Sequence, residues 1–293
     1  MKKKLFAGLA SAKGTRSEKI IRLIAFVVLL LISAALIYPY IFAINSSFKK
    51  DDPDFLMNMS KISFPPRLST YFEAFTDLTV GQTSYFGMFV NSVWYSAGRA
   101  IANVGSSMLL AYGVACYRFK FRNFMYNLVL FVLVMPMFGT LPATYRLYSD
   151  LGMIDSPLIL LAYAGAFDGQ FLILYSFFKN LSWDYAESAF LDGAGHFTVF
   201  FKIMLPMALP ATMTMAVTNL IASWNDYSSI LLYLPEMPTL TTGLYSFEIK
   251  QMYAADRPVY YAGLVLSIIP VFAVFFAMQN TILSKTYAGG LKE

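Results

Sequence analysis

The chain has 293 residues, of which 58% are hydrophobic and 13% charged, with a net charge of +5. A water-soluble domain carries about a quarter charged residues, so this composition excludes a soluble globule and points to a membrane-embedded chain. One cysteine, Cys116, and one histidine, His196, exclude a disulfide framework and a Cys- or His-rich metal site within the chain.

Residues 1–19 carry Lys2, Lys3, Lys4, Lys13, Arg16 and Lys19 and read as a cytoplasmic N-terminal tail. A signal peptide does not fit, because its short apolar stretch is broken by charge and the span that follows is longer than an h-region. The remaining residues, 20–293, read as an all-α polytopic membrane domain with its core at about 86–284. Six apolar spans are expected, at 20–44, 86–116, 124–146, 156–179, 204–233 and 259–284. A bilayer core of about 30 Å needs roughly 20 apolar residues per helix. The charge-free runs Leu23–Phe48 and Asn123–Tyr145 hold 26 and 23 residues. The 45–85 segment contains Pro53, Pro65 and Pro66 and reads as a surface connection with little helix signal.

Gly98, Gly105, Ser106, Ser107 and Gly113 in the second span suit close helix packing. Arg99 in the same span and Asp168 in the fourth are costly at bilayer depth. Counted from the outer ends of their spans at about 1.5 Å per residue, both lie roughly 18–20 Å deep. They are expected at similar depth, either paired with one another or each held by water or backbone partners.

The polar loop at about 180–205 follows. Asp184 and Glu187 stand three apart, as an N-cap and its capping-box partner do. A short helix is expected over about 185–192, ending at Gly193 in the left-handed conformation. A second short helix over about 196–204 would precede Pro206, which opens the fifth span. The loop would then protrude as a knob with Ala189, Phe190 and Leu191 available to a partner. From the residues alone, an amphipathic connector lying on the membrane surface is the alternative. His196 reads as a solvated or partner-facing loop residue.

Asn219, Trp224, Asn225 and Asp226 cluster late in the fifth span. Amides, carboxylates and aromatic faces suit a sugar path; hydrogen bonding between helices is the other reading. Six spans place both termini on one side, and that side carries fourteen of the Lys and Arg residues against seven on the other. Both termini, and with them the 180–205 loop, are therefore expected in the cytoplasm. No G-x-x-x-x-G-K-[ST] phosphate loop occurs, so the chain has no ATP site of this type.

Glu187-Ser188-Ala189, then three residues, Gly193, nine residues, and Ile203-Met204-Leu205-Pro206 resemble the loop signature of permeases in binding-protein-dependent ABC importers. Six of the seven fixed positions match, with Ser188 in place of Ala. Ser47-Phe48-Lys49, Asn91-Ser92, Ala111-Tyr112-Gly113 with Arg118-Phe119, Trp224-Asn225-Asp226-Tyr227 and Ala288-Gly289-Gly290-Leu291-Lys292 are similar, in order, to the smaller permease of maltose-type carbohydrate importers. The resemblance implies the type I importer permease fold in a bacterial or archaeal cell membrane. It also implies a second homologous permease, an ATP-binding cassette ATPase dimer, an extracellular solute-binding protein and a carbohydrate cargo. ATPase coupling falls on Glu187, Ser188, Ala189, Asp192, Gly193, Ile203, Leu205 and Pro206. The chain itself would bind no cofactor, ATP and Mg residing on the ATPase, would catalyse no covalent reaction and would bind no nucleic acid. The loop at about 235–258, with Thr239-Leu240-Thr241-Thr242-Gly243-Leu244-Tyr245, would reach toward the binding protein. Alternatives are the same architecture carrying a peptide, amino acid or polyamine, and an ion-coupled secondary transporter. The latter needs paired titratable groups and internal repeats; the sequence offers one possible pair and no visible repeat. An intramembrane Ser-His enzyme is unsupported, because the only histidine lies in a loop.

Overall fold

The computed structural model describes residues 16–135, 139–165, 167–251 and 256–286. Most of the N-terminal tail and the 288–292 match lie outside them. The described residues are helical throughout apart from loops and one isolated antiparallel bridge between Val80 and Thr83.

The first helix, α1 (Arg16–Ser47), is apolar on every side, as a lipid-embedded span can be. Most of its side chains are exposed, Leu29 by 63% for example. It meets the body through its last turns, where Tyr40 faces Phe272 at 6.1 Å and Phe42 faces Tyr261 at 5.7 Å.

The 45–85 connection is more structured than its prolines suggest. It forms α2 (Asp52–Met57) and α3 (Ser69–Asp77). The Asp51 carboxylate caps α2 by accepting from the Asp54 amide at 2.9 Å, and a proline fits the first turn because its missing N–H would be unpaired there anyway. Lys49 is 1% exposed, and its ammonium donates to the carbonyls of Asn58 at 2.8 Å and Lys61 at 2.6 Å. Arg67 donates to Glu73 and lies 3.5 Å from Asp256, while Arg257 donates to Asp52 at 2.7 Å. The hydrogen bond from Arg67 holds the Glu73 carboxyl below its ordinary range, whereas burial pushes Asp256 up. These charges tie the 45–85 connection to the start of the last helix.

The central helix is α4 (Tyr85–Cys116), capped by Ser84, whose hydroxyl accepts from the Gly87 amide at 3.2 Å. Its buried residues include Met88, Ser92, Tyr95, Val104, Ser107, Ala111 and Val114, largely three or four apart, so one stripe faces the core. Gly98 allows the close approach expected of it, since a Cβ there would lie 2.5 Å from Leu160.

Spans three and four do not run as continuous helices. Span three is divided into α5 (Arg122–Val134) and α6 (Leu141–Asp150), and span four into α7 (Ile159–Ala162) and α8 (Gly169–Asn180). After α5 the chain leaves the helical region at Met135, which is extended, and Gly139 takes a positive φ of 69°. Asp168 starts α8 as its N-cap.

After the loop helix α9 (Asp184–Leu191) comes α10 (His196–Val199), a π-helical turn (Phe200–Met204), α11 (Leu205–Trp224) and α12 (Tyr227–Tyr233). Pro206 stands in the first turn of α11, as expected of the residue that opens this span. Pro206 has no N–H to offer an i−4 carbonyl, and the preceding wide turn, in which the Leu205 amide bonds the Phe200 carbonyl, carries the helix through. α13 (Leu240–Gln251) and α14 (Arg257–Thr286) complete the chain. Among the described residues three helices are both long and apolar enough to cross a membrane: Ser17–Ser47, His196–Trp224 and Arg257–Gln279.

Two buried clusters sit at different levels of α4. The inner one joins Val104, Ala111 and Val114 to Val129, Phe171, Phe178, Ala186, Phe200 and Met204. The outer one joins Tyr95 to Ile159, Ile230 and Leu234. A third, beside the outer end of α4, joins Tyr85 and Met88 to Trp224, Leu240 and Ala262.

Candidate functional site

The 180–205 loop builds a compact projection, with one change at its start. Trp183, not Asp184, is the N-cap of α9, and no side chain caps it. The expected capping box is therefore absent. Asp184 and Glu187 instead lie in the first turn, where carboxylates suit the positive end of the helix. The Ser188 hydroxyl donates to the Asp184 carbonyl at 2.8 Å, an internal use that Ala could not supply.

The C-terminal end behaves as its glycine requires. Gly193 has φ 84°, its amide bonds the Phe190 carbonyl at 3.0 Å, and the Ala194 amide bonds the Ala189 carbonyl at 2.9 Å. This crossed pair is the Schellman arrangement, which satisfies carbonyls the helix leaves free and reverses the chain into α10.

Helical geometry then divides the motif between two faces. Ala186 is buried, and Ala189 and Phe190 turn inward against the inner cluster. The Phe190 ring lies 6.2 Å from Trp183 and 4.9 Å from His196. The expectation that Ala189 and Phe190 face a partner is thus corrected: within α9 the apolar group that faces outward most is Leu191, at 84% exposure. Glu187, Asp192 and Gly193 are exposed beside it, as are Phe197 and Phe201 from the following helical segment, Phe197 by 82%. Those two phenylalanines, four apart on one helix face, were missed in the sequence although their spacing is readable there. Ile203 and Leu205 are half-buried and Pro206 exposed, so the end of the motif belongs mainly to the body of the helix. His196 is exposed as expected, but its Nδ1 also meets the Tyr117 hydroxyl at 2.9 Å, joining the loop to the inner end of α4.

The outward face combines Leu191 and Phe197 with Asp184, Glu187 and Asp192. No Lys or Arg occurs between residues 180 and 201. A helix lying on a membrane surface depends on basic residues flanking its apolar face. This face suits a protein partner better than a lipid surface.

The charges at membrane depth are arranged otherwise than their sequence distances suggest. Arg99 does not meet Asp168. Its guanidinium donates to Asp226 at 2.5 Å and to the Tyr95 hydroxyl at 3.0 Å, and it covers the Tyr163 ring at 4.2 Å. Asp168 accepts from Asn103 and Ser107 side chains, each at 3.2 Å, and from the amides of Gln170 and Phe171. Asn103 and Ser107 lie one and two turns along α4 from Arg99, which separates the two charges by about 6–12 Å in depth. The depth estimate failed because it assumed a straight fourth span, whereas residues between α7 and α8 leave the helix.

The four polar positions of span five also separate. Asn219 and Asn225 donate to carbonyls four residues back, Met215 at 3.0 Å and Ile221 at 2.9 Å. Trp224 is buried beside Phe89, and Asp226 caps α12 while holding Arg99. Trp224 and Asn225 border a cavity of about 660 Å³ with Tyr227, Tyr245, Glu248 and Tyr260; Asn219 and Asp226 are not among its lining residues. Tyr227 and Tyr245 stack there at 4.4 Å.

Of the outer loop at about 235–258, Thr239, Leu240, Thr242 and Leu244 are buried against the body. The Ser92 hydroxyl accepts from the Leu240 amide at 2.8 Å, the Asn91 side chain donates to the Pro238 carbonyl at 3.0 Å, and Thr241 donates to the Trp224 carbonyl at 2.6 Å. This part of the loop is a fixed wall, which corrects its reading as the element that reaches outward. Among the described side chains of this loop the exposed ones are Pro235, Glu236, Glu248 and Ile249; residues 252–255 lie outside those described.

Residues 104–286 match the family described as "Binding-protein-dependent transport system inner membrane component". The chain is 29% identical over 279 residues to the diacetylchitobiose uptake system permease protein NgcG of Streptomyces coelicolor, covering 93% of this chain and 90% of that one. It is 29% identical over 276 residues to the galactooligosaccharides transport system permease protein GanQ of Bacillus subtilis, covering 92% and 95%. With the maltodextrin transport system permease protein MdxG of Bacillus subtilis it shares 26% over 276 residues, covering 92% and 96%. Its fold resembles that of a chain in the crystal structure of a bacterial ABC transporter involved in the import of the acidic polysaccharide alginate, with TM-score 0.75 and 20% identity over 92% of this chain and 99% of that one.

Proposed function

We infer that this chain, which belongs to the binding-protein-dependent transport system inner membrane component family, is the transmembrane permease subunit of an ATP-driven importer of oligosaccharides. The observation that carries the coupling role is the α9 projection, with Gly193 at φ 84° and Leu191 turned fully outward beside Phe197. An exposed apolar knob with acids around it is a surface for a protein partner. In the cytoplasm that partner is the ATPase, which supplies ATP and Mg. The carbohydrate cargo is supported by relatives named for diacetylchitobiose, galactooligosaccharides and maltodextrin. The aromatic cavity at Trp224, Tyr227 and Tyr245, with Asn225 and Glu248, suits stacking against a sugar ring and hydrogen bonding to its hydroxyls.

The rest of the reading follows from this role. The membrane domain, residues 20–293, crosses the bilayer six times, with spans three and four each interrupted, and both termini face the cytoplasm. It assembles with a second homologous permease to enclose the path and receives cargo from an extracellular solute-binding protein. The chain performs transport and no covalent chemistry.

Affinity purification of the chain from its native cells in mild detergent should recover a second permease and an ATPase in near-equal amounts. A homo-oligomer free of ATPase in several detergents would overturn the importer reading. In the assembled complex, Leu191→Asp should leave membrane insertion intact and lower ATPase recovery by about tenfold, since it replaces an exposed apolar contact by a charge that must be desolvated. Undiminished recovery of the ATPase would remove Leu191 from the docking surface. Uptake of labelled oligosaccharides in proteoliposomes, with peptide and polyamine as competitors, assigns the cargo class.

A further inference from the structure

We propose that Arg99 is a positioning residue for transport, an electrostatic latch that fixes the outer segment, residues 225–242, to the central helix α4. This rests on the importer reading only for what the latch controls, since its geometry stands without any cargo.

Three separate elements converge on the one guanidinium. Tyr95 comes from its own helix one turn outward, Tyr163 from the interruption of span four, and Asp226 from the junction between α11 and α12. The two tyrosines are joined to each other at 2.8 Å. Asp226 is held in turn by the Ser229 amide at 3.0 Å and the Ser228 hydroxyl at 3.1 Å, so it begins α12 and receives Arg99 at the same time. Arg99 also sits between the two buried clusters of α4, inward of Tyr95 and outward of Val104. From its start at Tyr85, α4 reaches Arg99 after about 21 Å, so the junction is deep within the helix.

An ion pair is a poor source of stability at such a site, because desolvation offsets most of the attraction. It is, however, directional: a planar guanidinium meets its carboxylate in few geometries. An apolar contact here would let α12 slide against α4, whereas the pair gives the junction one register. Beyond it the same segment is fixed by Ser92 to Leu240 and Asn91 to Pro238, also on α4. Three anchors from one helix therefore hold the outer wall, and Arg99 is the deepest and the only charged one among them. A movement that opens the outer mouth by separating α4 from this wall must part the pair. Parting it strands two charges, which favours discrete closed and open states over a continuum.

The test uses the assembled transporter in proteoliposomes, with Cys116→Ser and a reporter Thr242→Cys. Thr242 is 2% exposed in the closed wall. The readout is its labelling by a membrane-impermeant maleimide, which needs no sugar. Arg99→Gln and Asp226→Asn should each raise the labelling rate by about tenfold, because each leaves the other charge unpaired. The exchanged pair, Arg99→Asp with Asp226→Arg, should bring the rate back to within about threefold of the parent, since the attraction is restored with altered geometry. Unchanged labelling in both single variants would overturn the latch, as would an exchanged pair that labels as fast as they do. Should a neutral variant fail to assemble, Arg99→Lys retains the charge but not the planar fork, and an increase of about threefold is expected; no increase would count equally against the proposal. Oligosaccharide uptake measured on the same vesicles separates the two readings. Predicted labelling without uptake by the parent removes the cargo assignment, and uptake with unchanged labelling removes the latch.

Discussion

Gly193→Val is expected to reduce oligosaccharide uptake by more than about tenfold without lowering the amount of protein in the membrane. The cause is backbone conformation, not space. A Cβ on Gly193 would meet nothing within 4 Å, but the residue stands at φ 84°. L-residues disfavour that region by roughly 1–2 kcal/mol, and a branched β-carbon does so more strongly. Relief of the strain withdraws the two crossed amide bonds, from Gly193 to Phe190 and from Ala194 to Ala189, which set the angle between α9 and α10. Leu191 and Phe197 lie on either side of that angle, so their common face is lost as a unit. Gly193→Asn provides the comparison, since asparagine tolerates the left-handed region, and it should retain most of the uptake. Equal uptake by the valine variant and the parent protein would show that the angle of this turn carries no force. The effect should register in ATP hydrolysis linked to transport and leave folding of the inner cluster intact, because Gly193 itself is exposed.

Lys49→Met is expected to destabilise the outer connection, exposing residues 50–66 to protease in the otherwise folded assembly. Methionine matches the length of the stem, so the change isolates the ammonium. That group, 1% exposed, donates to two carbonyls that come from different turns of the chain, Asn58 and Lys61. Each charge-assisted hydrogen bond lost costs about 1.5–3 kcal/mol. Both carbonyls keep a neutral donor, Lys61 the Asn45 side chain at 3.0 Å and Asn58 the Lys61 amide at 2.9 Å, so what is lost is the two charge-assisted bonds. Lys50→Met is the control. Lys50 is exposed and contributes its backbone, through the carbonyl that accepts from Arg67, more than its side chain; a change within about 0.5 kcal/mol is expected. Equal protease resistance of the Lys49 variant and the parent would mean that the connection is held without the Lys49 ammonium, by Arg67, Asp52 and Arg257 and by the hydrogen bonds of Ser63 and Thr70 to the end of α1.

Much of this molecule was legible in its residues, and the legible part is local. Low charge and long apolar runs determined that the chain belongs in a membrane, because no water-soluble helix can be apolar on all sides. The spacing from Glu187 to Pro206 identified the projecting loop, and the positive φ of Gly193 followed from the chemistry of a residue without a Cβ. The buried stripe of α4 follows the helical repeat. What the tertiary structure alone decided is which faces meet. Phe190 and Leu191 are neighbours in sequence, yet one packs against Trp183 and His196 and the other points outward, since adjacent helical positions are about 100° apart and only the placement of α9 on the inner cluster selects between them. Likewise Arg99 required a carboxylate, but sequence distance could not choose between Asp168 and Asp226. The choice came from the interruption of span four, which turns Asp168 toward Asn103 and Ser107, and from the junction of α11 with α12, which brings Asp226 to the guanidinium. Periodicity fixes directions within one helix; the relation between helices is set by packing among residues far apart in the chain.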